Sequence, residues 1–327
     1  MRRVRFLHRR RVLLALGVLS ACAAATAVTV PAYAGSAVRA GAAHQPASPS
    51  PYAPASGHLV SGVVSGAAAS SGNGAAIAGF RQVHQEMLAA ARRPAVHPDS
   101  QLHAWWGSFP DTNSGTGVMA TQSVSSTLRL SHAGDILYAP TMTGADNDCI
   151  EVVTVHTNKA AQVWAWDWCN LIAPGAKVNV NATFLSKYTT TVNGRTAYTT
   201  KEVQTDASTN SWTSYLYDYK TKAWDTLFTS AGTDQSGLSY GWDMFEFYSA
   251  TNPATGNTYV CGDLGSAGTV LESSALKIYS GGTWKVANNN NTMWNPSAHP
   301  NPSSYLCPGM QFNIVKRNSD WTVDVAS

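Results

Sequence analysis

Charged side chains are scarce in this chain of 327 residues, where they occupy 13% of positions, about half of their usual share in a soluble domain. Beyond residue 34 no apolar run reaches the ~20 residues that a membrane-spanning helix needs, so we expect no membrane segment after removal of a leader. Residues 35–327 carry 16 basic and 19 acidic side chains. This balance excludes a basic surface for nucleic acid. Aromatic residues, at 10%, argue against disorder over most of the chain.

Motifs for metal-dependent and serine-dependent chemistry are also lacking. The histidines from residue 103 onward are scattered, without a His-Glu-x-x-His motif, and the spacing of the cysteines favours disulfides over zinc. We therefore expect no metal and no cofactor. Residues 237–241 match Gly-x-Ser-x-Gly, but that motif works at a strand-to-helix turn and no helical pattern follows.

The first 34 residues have the pattern of a secretory signal peptide. A basic start with six arginines is followed by an apolar stretch, and Ala32-Tyr33-Ala34 precedes Gly35 as a small-x-small cleavage site. An alternative is a lipoprotein signal at Leu19 to Cys22, which would keep a lipidated cysteine. The apolar run continues past Cys22, which favours release at Ala34 and a secreted, extracellular protein.

Residues 35–102 form a separate tract in this interpretation. Ala, Gly, Ser or Pro fill 32 of the 44 positions from 35 to 78, so this part has no hydrophobic period with which to build a core and is predicted to be flexible. Residues 79–93 have apolar positions at helical spacing and end before Pro94. A linker and a propeptide that covers a site are equally compatible with these residues.

Residues 103–327 have the pattern of an all-β domain. Short runs rich in Val, Thr, Tyr, Trp and Phe alternate in polarity and are separated by turns such as Asn193-Gly194 and Ser280-Gly281-Gly282. This spacing is typical of a β-sandwich, and the absence of helix-length periods between the strands disfavours a parallel α/β sheet.

The segment from Cys149 to Cys169 predicts a β-hairpin. A turn centred on Lys159 pairs Cys149 with Cys169 and Glu151 with Asp167. Directly opposed cysteines can reach disulfide distance, so we predict a Cys149–Cys169 disulfide. Pairing Cys261 with Cys307 then accounts for the remaining two cysteines of the exported chain.

Alternation along this hairpin predicts two unlike faces. The bulky apolar residues define the face toward the core: Ile150, Val152, Trp164, Trp166 and Trp168. The other face carries Glu151 and Asp167 beside small residues. Like charges opposite each other destabilise a solvated strand, so a functional role is one interpretation and simple solvent exposure is the other.

A second strand, Tyr240 to Tyr248, also carries an outward glutamate. If Phe245 and Phe247 face the core, Glu246 lies on the other face among Trp242, Met244 and Tyr248. A carboxyl in such surroundings is poorly hydrated, which raises a pKa.

Several segments, taken in order, resemble the glutamic peptidases, the fungal eqolisins and the neprosin-like enzymes. They are Ala104 to Gly107, Ser123 to Leu128, Cys149 to Glu151, Ala165 to Trp168, Ile172 to Thr183, Ser214 to Lys222 and Trp242 to Glu246. The Trp-Val-Gly-Ile-Asp-Gly element of the eqolisins has no counterpart here, since Leu137 to Pro140 occupies that region.

The resemblance implies a concanavalin A-like jelly-roll sandwich of two antiparallel sheets and a secreted acid endopeptidase. Glu246 is then the general base, and protonated Glu151 polarises the peptide carbonyl. Asp167 supports Glu151, while Trp106 and Trp242 contact the polypeptide substrate. Residues 35–102 become an inhibitory propeptide, and we expect a monomer.

A carbohydrate-binding or carbohydrate-active sandwich is the alternative. The same architecture hosts proteins that bind sugars, and paired carboxylates also hydrolyse glycosides. Retaining enzymes of this type usually carry both carboxylates on one strand, whereas Glu151 and Glu246 belong to different predicted strands.

Overall fold

The structure is a computed structural model that describes residues 61–65, 101–111, 115–167, 174–230, 240–293 and 300–326. Several predictions lie outside these ranges: the signal peptide over residues 1–34, the flexible tract apart from residues 61–65, the helix over residues 79–93, the place of Trp168 on the core face, and Cys169 as the partner of Cys149. Within the described ranges, no helix is both long enough and apolar enough to cross a bilayer.

One of two antiparallel sheets, which we call the front sheet, has eight strands among the described residues. From edge to edge they are β1 (Ser61–Ser65), β2 (Gln101–Pro110), β12 (Trp242–Ala250), β4 (Ile136–Thr143), β5 (Ile150–His156), β6 (Ala161–Asp167) and β7 (Ala176–Asn179), with β15 (Thr292–Met293) paired to β2. Strands distant in sequence therefore become neighbours, because β12 lies between β2 and β4.

The second sheet, which we call the back sheet, has nine strands among the described residues. In spatial order they are β11 (Ala223–Thr229), β10 (Ser211–Asp218), β9 (Arg195–Asp206), β3 (Gly117–Ser123), β13 (Leu271–Ser280), β17 (Asp320–Val325) and β16 (Met310–Lys316). Two short strands, β8 (Thr189–Val192) and β14 (Thr283–Val286), pair with β9 and β13.

The hydrophobic core lies between the two sheets. On one side Trp106, Phe245 and Phe247 of the front sheet pack with Phe312 and Trp321 of the back sheet. Toward the other edge, inward residues of β5 and β6 pack with β9 and β10; they include Ile150, Val152, Val163, Ala165, Tyr198 and Trp212. The predicted two-sheet antiparallel β-sandwich is confirmed.

Two of the predicted turns are present, and their backbone has the positive φ angles that asparagine and glycine adopt readily. Asn193 and Gly194 both have positive φ, 49° and 78°, between β8 and β9. Gly281 and Gly282, with φ of 59° and 77°, connect β13 to β14. These left-handed conformations suit glycine and asparagine, and they allow tight hairpins.

The described residues contain two α-helices that the sequence pattern did not predict: α1 (Ala182–Tyr188) and α2 (Tyr259–Ala267). In the sequence, the start of each helix is indicated only by the residue that caps it. The side chain of Asn181 accepts a hydrogen bond from the Phe184 amide at 3.0 Å, and Thr258 does the same for the amide of Cys261 at 3.3 Å. Both helices are too short to show a clear 3.6-residue period.

A disulfide joins Cys261 of α2 to Cys307, 46 residues later in the chain, as predicted. Cys149 is also disulfide-bonded, but its predicted partner lies outside the described residues. Residues 61–65, in the tract predicted to be flexible, form the edge strand β1 beside β2, with Val64 opposite His103.

The predicted register of the β5–β6 hairpin is wrong by one residue. Glu151 lies opposite Trp166, and Ile150 lies opposite Asp167. The hairpin closes through Thr157 to Ala160, whose backbone groups bond at 3.0 Å. This loop has an even number of residues, whereas a turn centred on Lys159 requires an odd number. A one-residue slip moves every side chain of one strand to the other face.

Candidate active site

Glu151 and Glu246 both project from the front sheet on the side away from the core. Glu246 lies opposite Trp105 of β2 and opposite Tyr138 of β4. Glu151 lies on β5 opposite Trp166. We call this side the aromatic face; its clustered apolar residues are Trp105, Ile136, Tyr138, Val153, Val155, Trp164, Trp166, Trp242, Met244 and Tyr248.

A bulge in β4 shapes the space between the two glutamates. Tyr138 of β4 pairs with Val155 of β5, and Thr141 of β4 pairs with Val153 of β5. Between these two pairs β4 advances by three residues while β5 advances by only two. The extra residue turns both Tyr138 and Thr141 toward the aromatic face. Because β4 separates β12 from β5, the backbones that carry the two glutamates are about 10 Å apart across the sheet.

The carboxyl group of Glu151 is held by two donors. The Thr141 hydroxyl donates to Oε1, and the indole Nε1 of Trp242 donates to the same oxygen at 3.1 Å. Glu151 has no solvent exposure. Trp242, predicted from the sequence to contact substrate, therefore has a direct contact with the predicted catalytic acid, and its role toward substrate stays a prediction.

The carboxyl group of Glu246 lies against a histidine. Nε2 of His103 is 2.7 Å from Oε1 of Glu246. The imidazole ring stacks on Tyr248, with ring centroids 4.1 Å apart and planes inclined by 5°. Both partners are buried, at 3% exposure for His103 and 0% for Glu246. The pair is therefore rigidly placed and shielded from water.

Tyr138 lies within the electrostatic reach of both glutamates. Burial, followed by the charges of Glu151 and Glu246, raises the pKa of Tyr138 well above its ordinary value. Tyr248 behaves in the same way, since burial and then the charge of Glu246 raise its pKa. Both phenols consequently stay protonated over the whole acid and neutral range.

The aromatic face is closed in this structure. All nine residues of β12 are buried, including those directed away from the core. A sheet with one solvated face would show alternating burial.

Two predicted site residues lie elsewhere than the sequence analysis placed them. Trp106 is 1% exposed and packs in the core against Phe312, with ring centroids 5.2 Å apart. Its place on the core side excludes it from the aromatic face, where its neighbour Trp105 lies instead. Asp167 shares the core side with Ile150 rather than the face of Glu151. This corrects the juxtaposition on which its supporting role was based.

No sequence motif marks His103, Tyr138 or Thr141 as site residues. His103 is one of several scattered histidines. An available signal was that His103 and Trp105 alternate with Ala104 and Trp106 along β2, so that only one of the two tryptophans can face the core. Nothing local indicated Thr141, because its orientation depends on the bulge in β4.

A second group of carboxyls lies on the core side of the same region. Asp148 accepts hydrogen bonds from the amides of Gly144 at 2.9 Å and Ile150 at 2.8 Å. Glu202 of β9 accepts from the amides of Gly144 at 3.1 Å and Val152 at 2.8 Å. Burial is the largest cause that raises the pKa of Asp148 to about 7, while burial and then the charge of Asp148 raise that of Glu202.

The described part of the chain contains no group of three or more His, Cys, Asp or Glu side chains arranged to hold a metal ion. The fold and the site together define a two-sheet β-sandwich that buries a pair of glutamates among aromatic side chains on the outer side of one sheet.

No family model matches the chain, and no curated protein matches it. Among solved structures, it is similar to scytalido-glutamic peptidase with a transition state analog inhibitor, at 10% identity and a TM-score of 0.37, over 68% of this chain and 98% of that one. It is also similar to SCP-B, a member of the Eqolisin family of peptidases in a complex with a tripeptide, at 13% identity and a TM-score of 0.35, with the same coverage.

A further match is the CBM2 module of an evolved Dit protein of Lactobacillus casei BL23 phage J-1. Its identity is 7% and its TM-score 0.25, over 48% of this chain and 74% of that one. At these levels of similarity the matches do not define a function for this chain.

Proposed function

We propose that this protein is a secreted acid endopeptidase in which Glu151 and Glu246 activate water and the peptide carbonyl. The observation that carries the proposal is the placement of two fully buried glutamates on one face, on either side of the strand that presents Tyr138. Peptide hydrolysis by two carboxyls needs one that takes a proton from water and a second that gives a proton to the carbonyl oxygen. Glu246 and Glu151 can divide these two roles.

The contacts of the two carboxyls support different roles. Glu246 has an imidazole at 2.7 Å, which favours the ionised form and a role as the base. Glu151 accepts the Trp242 and Thr141 donors at one oxygen. A protonated carboxyl can accept at its carbonyl oxygen and donate from its hydroxyl, which suits a role as the acid.

The proposed reaction uses these roles in sequence. Glu246 takes a proton from water while the water oxygen bonds to the peptide carbon, and Glu151 gives its proton to the carbonyl oxygen. The resulting intermediate then loses its C–N bond as the amine takes the proton held by Glu246. The intermediate's hydroxyl returns its proton to Glu151 as the new carboxylic acid product forms.

Access to the site requires that the aromatic face open. We include in the proposal that residues 35–102 are an inhibitory propeptide and that their removal exposes Glu151 and Glu246. All nine residues of β12, Glu246 among them, are buried, so a substrate needs such a change to reach the proposed base.

The proposal is tested by activity measurements on matched variants. Purified protein is expected to digest denatured casein at about pH 3–4, and to be insensitive to chelators and serine-protease inhibitors. Glu246→Gln should abolish activity because the base is lost. Glu151→Gln should reduce it less, because an amide can still donate to the carbonyl oxygen.

Glu202→Gln is the matched control, since Glu202 is also fully buried but lies on the core side. It should keep activity at acid pH. Undiminished digestion by both Glu151→Gln and Glu246→Gln would refute the proposal, and equal loss in the two variants would refute the assignment of roles.

A second candidate function, carbohydrate binding or hydrolysis, is favoured by one observation. Four tryptophans cluster on the aromatic face: Trp105, Trp164, Trp166 and Trp242. Indole rings stack on sugar rings, and two carboxyls also hydrolyse glycosides. Tight binding to an insoluble glucan, without proteolysis at any pH, would favour this function instead.

A further inference from the structure

His103 contacts Glu246 because of the long-range pairing of β2 with β12. In that pairing His103 lies opposite Tyr248, and Glu246 lies opposite Trp105. The imidazole and the carboxyl are therefore diagonal neighbours on one face of two adjacent strands. Their separation of 2.7 Å is that of a strong hydrogen bond or ion pair.

The imidazole ring is fixed by its neighbours. It is stacked on the Tyr248 ring at 4.1 Å, and the Trp105 ring lies 4.8 Å away on its own strand. With 3% exposure, His103 lies away from solvent. A charge-assisted hydrogen bond is stronger in such a dry environment than at a surface.

We propose that His103 is a positioning residue for Glu246, which it holds through Oε1 and keeps ionised in acid by carrying a positive charge beside it. This rests on the proposed function, in which Glu246 is the base. The glutamic base of an acid peptidase otherwise faces a conflict, because the low pH at which it works also protonates it.

The groups around Glu246 make His103 the suitable source of that charge. The titratable groups that the described residues place near Glu246 are His103 on β2, Tyr248 on β12, Tyr138 on β4 and Glu151 on β5. Of these four, only a histidine can carry a positive charge. In acid the imidazolium stabilises the carboxylate, so activity should extend to lower pH than it would without His103.

The first test compares the pH dependence of kcat/KM in His103→Gln with that of the wild-type protein. Glutamine keeps an N–H donor near the position of Nε2 but cannot become charged. We expect kcat/KM at about pH 3 to fall roughly tenfold or more, while the value at about pH 5.5 changes less than about threefold. The acid limb of the profile thus moves to higher pH.

His132→Asn is the matched control. Nδ1 of His132 lies 2.7 Å from Oδ1 of buried Asp135, and its ring stacks on Tyr259 at 4.7 Å. It is the same kind of pair, made away from the aromatic face, and its loss should leave the shape of the pH profile unchanged. A profile of His103→Gln parallel to the wild type, or a shift of the same size in His132→Asn, would overturn the inference.

The second test does not depend on activity. In full-length protein labelled with ¹⁵N-histidine, the His103 signals are identified by their loss in His103→Gln. Titration of His103 should shift to lower pH in Glu246→Gln, because the imidazolium loses its anionic partner. An unchanged titration would overturn the inference, and His103→Asn supplies the assignment if His103→Gln does not fold.

The two tests separate this inference from the proposed function. If both glutamate variants still digest casein, the proposed function fails, while the His103 titration still decides whether the ion pair exists. If Glu246→Gln is inactive, Glu151→Gln keeps part of the activity and His103→Gln retains the wild-type profile, the proposed function stands and His103 has only a structural role.

Discussion

The buried pair Asp148 and Glu202 predicts that the protein becomes less stable as the pH rises. The two side chains share the Gly144 amide as a donor, and a hydrogen bond links the two carboxyl groups. Such a bond needs a proton on one of them. Deprotonating both would leave two negative charges in contact between the sheets, where no water can solvate them.

The size of the effect follows from linkage. Burial raises the pKa of Asp148 from 3.8 to about 7, so the folded protein binds this proton more tightly than the unfolded chain does. The stabilisation is fully present below pH 3.8 and is lost as the pH rises to about 7. It amounts to about 4 kcal/mol, at 1.36 kcal/mol per tenfold change in proton affinity.

Asp243 also stabilises the folded protein more at low pH than at high pH. Burial is the largest cause that raises its pKa to about 7, against the hydrogen bonds of Ser273 and Trp321, which lower it. For a chain of this size, about 4 kcal/mol corresponds to a change of roughly 10 °C in Tm. Burial lowers the pKa of His156 to about 4, and this offsets part of the gain because His156 must be charged in the unfolded chain at low pH. We therefore expect Tm at pH 4 to exceed Tm at pH 8 by roughly 10 °C.

Thermal unfolding followed by circular dichroism across this pH range tests the prediction. In Glu202→Gln an amide replaces the shared proton with a permanent donor, so the difference in Tm between the two pH values should shrink by roughly 5 °C or more. Asp206→Asn is the control, since Asp206 is exposed and hydrogen bonds from Ser208 lower its pKa. A wild-type protein that is equally stable at both pH values would refute the reasoning.

Two further predictions concern the disulfide and maturation. Replacing Cys261 and Cys307 together by serine opens a loop of 46 residues. The loop-entropy account predicts that the free energy of unfolding falls by about 4 kcal/mol. Calorimetry measures this change, and a decrease in Tm below about 2 °C would contradict the prediction. Incubation of full-length protein at about pH 4 should release a shorter chain that begins near residues 93–103, seen by mass spectrometry, if the protein removes its own propeptide. The same product from Glu246→Gln, or an unchanged mass in the wild type, would contradict self-processing.

Local sequence was sufficient to predict the faces of β12. Phe245 and Phe247 pack in the core, while Trp242, Met244 and Tyr248 lie on the aromatic face, as alternation predicts. The strand has no irregularity in its pairing with β2, and its two faces differ clearly in composition. A period of two is reliable under these conditions.

The same reasoning failed for the β5–β6 hairpin because both faces of β6 are apolar. The size of Trp164 and Trp166 predicts a place in the core, yet both belong to the aromatic face, and small Ala165 lies in the core. When two faces are equally hydrophobic, composition cannot set the register, and the number of residues in the turn decides it. The predicted position of Asp167 beside Glu151 is wrong for the same reason.

The sequence by itself determined the all-β class, the Cys261–Cys307 pair and the outward orientation of Glu151 and Glu246 on their strands. Only the tertiary structure decided which strands lie beside one another, and therefore that His103 contacts Glu246 and that Thr141 contacts Glu151. Alternation within a strand is a local property of the backbone. The pairing of β2 with β12, 143 residues apart at His103 and Glu246, and the bulge in β4 depend on how the whole core packs, which no local pattern records.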